Sequence, residues 1–388
     1  MAAWAGFALF FLIVTTVYGG AHYYLYRWFL RLFEPGRGTG RFLGILFLFL
    51  VLSFPGAKIL GWIDFNPLSY GLTLISAIWM GFSLYFFLFA VSTDIFMGIW
   101  RWISGPPRLS PRHRLLFQRR WMAGLAIGVL GIGIFGLQEA KNVQVTRLEI
   151  QLQNLPATLD GYTVVQVSDV HYGMLTENGK LAKLVEQVNQ LHADLIVITG
   201  DLVDEGVSHM EEMTLPLQGL KGRDGVLAVT GNHEYYAGVN RATGIMEKAK
   251  IRVLRNERII FPGGLQVLGI DDPTGSRRMG EAATDFQGLL GSLDPLQPSI
   301  FLYHQPIRFA EAASFGIGLQ LSGHTHGGQL FPMRYISQLI YPLTPGLHRM
   351  GRSHLYVNRG AGTWGPPMRL GSPPEITLIR LRSPKGKE

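Results

Sequence analysis

The chain has 388 residues, of which 47% are hydrophobic and only 16% are charged, and it contains no cysteine. Its length suggests two or three domains, its composition is too apolar for an average soluble protein, and the lack of cysteine excludes disulfides and thiolate metal sites. The net charge of +8 comes from residues 1–138, which hold 11 Lys and Arg against 3 Asp and Glu, whereas residues 139–388 hold 24 of each. We therefore attribute the basic excess to membrane topology and expect no nucleic-acid partner.

The first 138 residues contain four apolar runs that are long enough to cross a membrane as helices, for which about 20 residues are needed. These runs are residues 1–26, 42–57 (extendable through Leu60 if Lys58 snorkels), 65–93 and 121–138. A cleaved signal peptide is not expected, because no basic segment precedes the first run and similar runs follow it. The pattern predicts a multi-domain protein with a four-helix transmembrane domain over 1–138 and a second domain over 139–388.

The charges between these runs predict how the chain is oriented in the membrane. The first and third connections hold ten arginines between them, whereas the second carries Asp64 with Lys58 beside it. By the positive-inside rule, the first and third connections are cytoplasmic. The second domain is then expected on the outer face of the cytoplasmic (inner) membrane. Near the end of the third run, Asp94 is expected to be an interfacial partner of Arg101.

Five apolar segments of the second domain are typical of buried strands, and each is followed by side chains with oxygen or nitrogen ligand atoms. They read YTVVQVSDVHYG (162–173), DLIVITGD (194–201), VLAVTGNH (226–233), SIFLYH (299–304) and LQLSGHTH (319–326). Ligands of open α/β sheets bind at the carboxyl ends of the strands. Five of the eleven histidines follow these strands, a placement that buried core histidines would not share, so we expect one common site.

The remaining segments predict the elements around these strands. The patterns favour an edge strand over 143–152, helices over 176–191 (with Thr176 as N-cap), 208–219 and 241–250, and a hairpin over 258–271. Residues 331–374 are rich in proline, glycine and aromatic residues, and we expect either a rim of the site or a proline-stiffened loop. Four histidines away from the strand ends are expected at the surface: His192, His209, His348 and His354.

The strand ends supply seven candidate metal ligands. They are Asp169, His171, Asp201, Asn232, His304, His324 and His326. Seven donors exceed the four that one zinc ion usually takes, whereas they suit two adjacent ions that share a carboxylate, with a bridging hydroxide attacking phosphorus. Nitrogen and oxygen donors fit Mn, Fe or Zn. His233 follows Asn232 but is expected to point elsewhere, so we predict that it donates a proton to the leaving oxygen.

These residues resemble the calcineurin-like metallophosphoesterases. The family's five blocks occur in order as SDVH (168–171), GDLVD (200–204), GNHE (231–234), the lone His304 and GHTH (323–326). The run GHTHGGQ at 323–329 is similar to a branch of bacterial, often membrane-linked phosphodiesterases. The resemblance covers roughly residues 162–382, implies a four-layer α/β/β/α sandwich, and leaves the N-terminal helices outside.

The resemblance also implies a role for each matching residue. One ion would be held by Asp169, His171, Asp201 and His326, and the other by Asp201, Asn232, His304 and His324. Asp201 would bridge the two ions and His233 would be the general acid. Asp204 would lie behind the ligands and orient one of them.

The sequence thus predicts a membrane-anchored hydrolase that cleaves a phosphodiester or a lipid-linked phosphate. A catalytically inactive membrane scaffold that retains the fold is the alternative, and a missing ligand position would have favoured it. Monoesters, diesters and pyrophosphates suit the same metals. Only a few residues separate residue 138 from the strand that starts at Val143, and residues 331–374 carry apolar and aromatic side chains. Both features favour an amphiphilic substrate, with a water-soluble diester as the other possibility. The sequence does not specify the oligomeric state.

Overall fold

The computed structural model describes residues 2–63, 66–105, 110–173, 175, 178–205, 207, 209–280 and 284–384. The chain divides into two compact units. Unit 1 comprises Met1–Leu137 and Gly365–Pro367, and unit 2 comprises Gln138–Trp364 and Met368–Glu388.

Unit 1 is built from long helices. They are α1 (Ala2–Phe33), α2 (Arg37–Ile63), α3 (Pro67–Ser104) and α4 (Pro111–Glu139). Among the residues that the structure describes, three segments are long and apolar enough to cross a membrane: Arg37–Ala57, Pro67–Ser104 and Leu115–Glu139. Most side chains of the predicted first run, 1–26, are not among those described. Asp64 of the second connection also lies outside the described residues.

The helices of unit 1 are longer than the apolar runs, so most of the arginines lie on helix ends rather than in loops. The expected pairing of Asp94 with Arg101 is wrong. Residues seven apart on a helix are about 10 Å apart along its axis, whereas α1 lies beside α3 and brings closer donors. The carboxylate of Asp94 accepts hydrogen bonds from Tyr24 Oη at 2.6 Å, Trp28 Nε1 at 3.1 Å and the Arg31 guanidinium at 3.1 Å.

Unit 2 contains two six-stranded mixed sheets. The strands are β1 (Gln144–Gln151), β2 (Thr163–Val167), β3 (Leu195–Thr199), β4 (Val226–Val229), β5 (Arg252–Val253), β6 (Glu257–Ile260), β7 (Gln266–Ile270), β8 (Ser299–Tyr303), β9 (Leu319–Ser322), β10 (Gly346–Met350), β11 (Ser353–Val357) and β12 (Glu375–Arg382). The first sheet has the order β1-β12-β2-β3-β4-β5 and the second β10-β11-β9-β8-β7-β6. The strands β2, β3 and β4 are parallel neighbours, as are β7, β8, β9 and β11.

Shorter helices flank these sheets. They are α5 (Asn178–Asn189), α6 (Thr214–Leu217), α7 (Asn232–Ala237), α8 (Val239–Lys248), α9 (Pro273–Arg278), α10 (Phe286–Gly291), α11 (Phe309–Ser314) and α12 (Met333–Ile340). Successive side chains of a strand point to opposite faces, so Leu195 joins the apolar core shared by the two sheets while Ile196 packs in a second core with residues of α5 and α8. On the far face of the second sheet, Phe301 packs with Leu290 of α10.

The structure confirms the five predicted buried strands, the edge strand and the hairpin, which is formed by β6 and β7. The predicted helices correspond to α5, to a 3₁₀ turn at Met210–Met213 followed by α6, and to α8. Thr176, the expected N-cap, lies outside the described residues. Of the two alternatives for 331–374, the proline-stiffened loop is wrong, because α12, β10 and β11 lie there. These elements could not be predicted because they are short and are separated by prolines and glycines.

Candidate metal centre

The carboxyl ends of the five strands meet and bring the predicted ligands together. Side chains whose ligand atoms all lie within 4.8 Å of one another form four overlapping groups among the described residues. The groups are Asp169 with His171 and His326, His171 with Asp201 and His233, Asp201 with His304 and His324, and Asp204 with Glu205 and His233. Asp201 therefore stands between the two ends of the site.

At one end, the imidazoles of two distant motifs face each other. Nε2 of His326 lies 2.9 Å from Nε2 of His171 and 3.5 Å from Oδ1 of Asp169. The same His171 nitrogen lies 3.9 Å from Oδ2 of Asp201. The Asp169 carboxylate also accepts the backbone N–H of His324 at 3.0 Å, which ties the first ligand motif to the last.

At the other end, Nε2 of His304 lies 3.0 Å from Oδ2 of Asp201 and 3.2 Å from Nδ1 of His324. Nδ1 of His304 is 2.7 Å from the carbonyl oxygen of Thr199. Because a carbonyl only accepts, Nδ1 carries a proton and Nε2 is the nitrogen turned toward the site. A hydrogen bond of this kind is how ligand histidines are usually oriented.

Asn232 begins α7, directly after β4, and is buried. Its side-chain Oδ1 has no hydrogen-bond partner among the residues that the structure describes. Its chain neighbour His233 donates its backbone N–H to Oδ1 of Asp201 at 2.9 Å, so the start of α7 lies beside Asp201. A buried oxygen without a donor costs about 1–3 kcal/mol, and a cation would remove that cost.

The ionisation of three of the four candidate ligand histidines fits metal binding. The exception is His304: burial opposes a charge on its ring, but Asp201 raises its pKa to about 10. Burial lowers the pKa of His171 and His324 to about 3, and it holds that of His326 well below its usual value. These rings are neutral at pH 7, which is the form that binds metals. Burial opposes the charge of Asp201, but His304 and His233 hold the pKa of this carboxyl well below its usual range. The residues present therefore fit divalent metal ions, with O and N donors suited to Mn, Fe or Zn.

His233 faces two carboxylates on its other side. Its Nδ1 lies 2.8 Å from Oε2 of Glu205 and 3.1 Å from Oδ1 of Asp204. Burial opposes a charge on the ring, but Asp201, Asp204 and Glu205 together raise the pKa of His233 well above its usual value. The Asp204 carboxylate is also 3.9 Å from Nδ1 of His171, as a residue that orients a ligand would be.

The backbone at these strand ends is strained. Five candidate ligands have φ between 48° and 72°, which is the left-handed region: Asp169, His171, Asp201, His324 and His326. This conformation costs L-residues about 1–2 kcal/mol each, and such strain concentrates at functional sites. Gly200, with φ of 87°, precedes Asp201, and a side chain there would collide with His304 and Gly231. The glycine of the GD motif thus permits the close approach of two ligand loops.

Three further residues contact the ligands or their loops, and the sequence analysis assigned this role to none of them. The buried carboxylate of Glu234 accepts four backbone N–H groups, from Asp201, Leu202, Val203 and Gly231. Oη of Tyr341 lies 2.8 Å from Nε2 of His324, and the guanidinium of Arg369 lies 3.0 Å from Nδ1 of His326. Glu234 was visible within the GNHE block, whereas no local pattern pointed to Tyr341 or Arg369.

Comparison with known proteins agrees with this geometry. The family described as calcineurin-like phosphoesterase matches residues 162–328. An uncharacterized metallophosphoesterase of Aquifex aeolicus is 32% identical over 253 residues, which are 65% of this chain and 96% of that protein. A similar protein of Helicobacter pylori strain J99 is 36% identical over 220 residues, 56% of this chain and 59% of that one. A transmembrane protein with metallophosphoesterase domain from Danio rerio is 35% identical over 263 residues, 65% of this chain and 60% of that one.

The fold, the site and these relatives define a metallophosphoesterase. The chain belongs to the calcineurin-like phosphoesterase family. It matches less than two thirds of the length of the Helicobacter and Danio relatives.

Proposed function

We propose that the protein is a membrane-anchored phosphoesterase whose site holds two divalent metal ions. The observation that carries this proposal is the position of Asp201, whose carboxylate groups with His171 and His233 on one side and with His304 and His324 on the other. Asp169, His171 and His326 would complete one metal site. Asn232, His304 and His324 would complete the other. When bound, the ions supply Lewis-acid polarisation of the phosphoryl oxygens and lower the pKa of water.

The protein's own residues then supply the proton and the alignment. Glu205 and Asp204 hold Nδ1 of His233, which leaves Nε2 as the nitrogen that can donate to the leaving oxygen. The raised pKa of His233 keeps this proton in place at neutral pH. Glu234 fixes the loop that carries Asp201 through its four backbone contacts.

The substrate we propose is a phosphoester at the membrane surface, either a phosphodiester or a lipid-linked phosphate. Support comes from where the chain enters unit 2. The backbone N–H of Gln144, at the start of β1, donates to Pro374 at 2.8 Å, and that of Glu375 donates to Gly360 at 3.0 Å. A side chain at Gly360 would touch Asp169 and His326. The connection from α4 therefore reaches unit 2 at the edge that carries the metal ligands.

The remaining parts of the proposal concern architecture. We infer a four-helix transmembrane domain over 1–138 and a catalytic domain over 139–388, with two sheets inside two helical layers. The catalytic domain would lie on the outer face of the cytoplasmic membrane. The arginines near the predicted cytoplasmic connections support this orientation.

The experiment that tests the proposal is metal loading followed by an activity screen. The detergent-purified full chain is incubated with Mn²⁺, its metal content is measured, and it is assayed on monoesters, diesters and lipid-linked phosphates. Two bound ions per chain with hydrolysis of one class are expected. Less than one ion per chain, with no turnover on the whole panel, would favour the inactive scaffold instead.

A further inference from the structure

Helix α12 is amphipathic, but it buries polar residues and exposes apolar ones. Its polar residues Ser337 and Gln338 are half-buried and, with Arg334, line a cavity of about 240 Å³. Its apolar residues point outward and are exposed: Tyr335, Ile336, Leu339 and Ile340. Leu339 is 85% exposed. A helix on a water-soluble surface buries its apolar stripe and exposes its polar one, whereas α12 does the opposite.

Two aromatic residues extend this exposed apolar face. Phe331 precedes α12 and Trp364 lies on the adjacent loop; both are exposed. Gln329 holds that loop, because its side chain donates to the Trp364 carbonyl and accepts the Trp364 N–H, both at 2.9 Å. The ring centroid of Trp364 lies 6.5 Å from that of His233. The apolar face therefore borders the metal centre.

The covalent structure indicates what covers this face. Four residues separate the end of α4 at Glu139 from β1 at Gln144, and β1 starts at the edge of unit 2 that carries the ligands, as shown above. Three of the preceding helices have segments long and apolar enough to span a membrane. With these segments in a bilayer, as proposed above, the chain tethers this edge within a few residues of the bilayer surface. Tyr and Trp favour the membrane–water interface, and Arg334 can extend its charge to the head groups.

We propose that α12, together with Phe331 and Trp364, is an interfacial membrane contact that lies in the head-group layer of the bilayer in which the chain is anchored. This contact is independent of turnover. Its consequence for the site rests on the proposed function: Tyr341 directly follows α12 and its Oη lies 2.8 Å from Nε2 of His324. The position of α12 on the bilayer therefore fixes a residue that touches a candidate ligand.

The chain has no cysteine, which permits a direct test with single nitroxide labels. Leu339→Cys and Ile336→Cys are labelled in the full chain and reconstituted into phosphatidylcholine–phosphatidylglycerol vesicles. Leu296→Cys is the matched control, because Leu296 is an equally exposed leucine of unit 2 that precedes β8. Power saturation compares collisions with oxygen, which partitions into lipid, and with a nickel chelate, which stays in water.

The labels at 336 and 339 are expected to show a several-fold preference for oxygen over the chelate, while the label at 296 shows the reverse. Equal accessibility ratios at 339 and 296 would overturn the proposal. Dipolar broadening at 339 without oxygen preference would assign the face to a second copy of the chain and would overturn it as well. The measurement needs no catalysis. A protein whose α12 labels contact lipid but which hydrolyses no substrate would support the membrane contact and contradict the proposed function.

Discussion

A guanidinium nitrogen of Arg369 lies 3.0 Å from Nδ1 of His326. A guanidinium only donates, so this ring nitrogen is the acceptor, and the proton of the neutral ring lies on Nε2, which faces His171. Arg369 is completely buried and also donates to five backbone carbonyls, those of His326, Arg359, Gly360, Gly362 and Ser372. Burial lowers the pKa of Arg369 to about 10, so it remains charged at pH 7. One side chain thus clamps the loop after β11 to the last ligand motif.

Arg369→Met is therefore expected to lose both stability and metal. The methionine fills much of the volume but leaves several buried carbonyls without donors, which should cost on the order of 3 kcal/mol. The thermal midpoint and the bound metal per chain are measured on the Mn²⁺-loaded protein. Arg349→Met is the control, because Arg349 is exposed and its side chain donates to the nearby Gly351 carbonyl. If the two variants unfold alike and bind equal metal, the clamp is not needed.

Asp201→Asn tests whether one carboxylate serves both ends of the site. The substitution keeps the size of the side chain but removes the charge that would be shared by two ions, so turnover should fall by several orders of magnitude. Steady-state rates and metal content are compared with those of Asp160→Asn, which alters an exposed carboxylate near Arg382. A near wild-type rate for the purified Asp201→Asn variant would rule out the two-metal proposal.

The candidate ligands could be predicted from the sequence because each follows a buried strand, and strand ends of this kind meet at one sheet edge. Arg369 could not be predicted, because its partner His326 is 43 residues away and an isolated arginine in a loop has no pattern. The position of β12 in its sheet could not be predicted from the sequence either. Nothing local specifies the insertion of this strand between β1 and β2. The left-handed backbone of the ligand residues also depends on loops that meet only after folding.

His233→Asn tests the proton donor, and it separates that role from metal binding. The variant should retain both ions and lose about 10²- to 10⁴-fold in rate, most for substrates with poor leaving groups. Loss of metal would instead make His233 a ligand, which its position beside His171 and Asp201 also permits.

The pH dependence of kcat should also identify His233 as the proton donor. A general acid must be protonated, so kcat should fall as pH rises through the raised pKa of His233. Glu205→Gln removes a charge 2.8 Å from Nδ1, which should lower that pKa and move the fall in kcat to lower pH. The pH dependence of kcat is measured for the wild type, Glu205→Gln and His233→Asn. If kcat falls at the same alkaline pH in Glu205→Gln as in the wild type, the prediction is contradicted.

The orientation of the chain in the membrane can be measured with fusions after residue 140. Ten arginines lie near two alternate connections, so the positive-inside rule places unit 2 outside the cytoplasm. Alkaline phosphatase fused at this point should be active, and a fluorescent protein that matures only in the cytoplasm should stay dark. The opposite result would place the site in the cytoplasm and within reach of substrates made there.

The substrate preference should follow the membrane contact of α12. If the substrate is amphiphilic, kcat/KM for a lipid-linked phosphoester in micelles should exceed that for its deacylated head group. Leu339→Ser and Ile336→Ser should reduce this ratio, because they remove exposed apolar side chains without touching the ligands. Leu296→Ser, on a distant turn of unit 2, should leave the ratio unchanged. Tyr341 is unsuited to this comparison because its Oη contacts His324. Equal rates on both forms of the substrate, unchanged by the α12 substitutions, would favour a water-soluble diester and leave α12 with a role in docking alone.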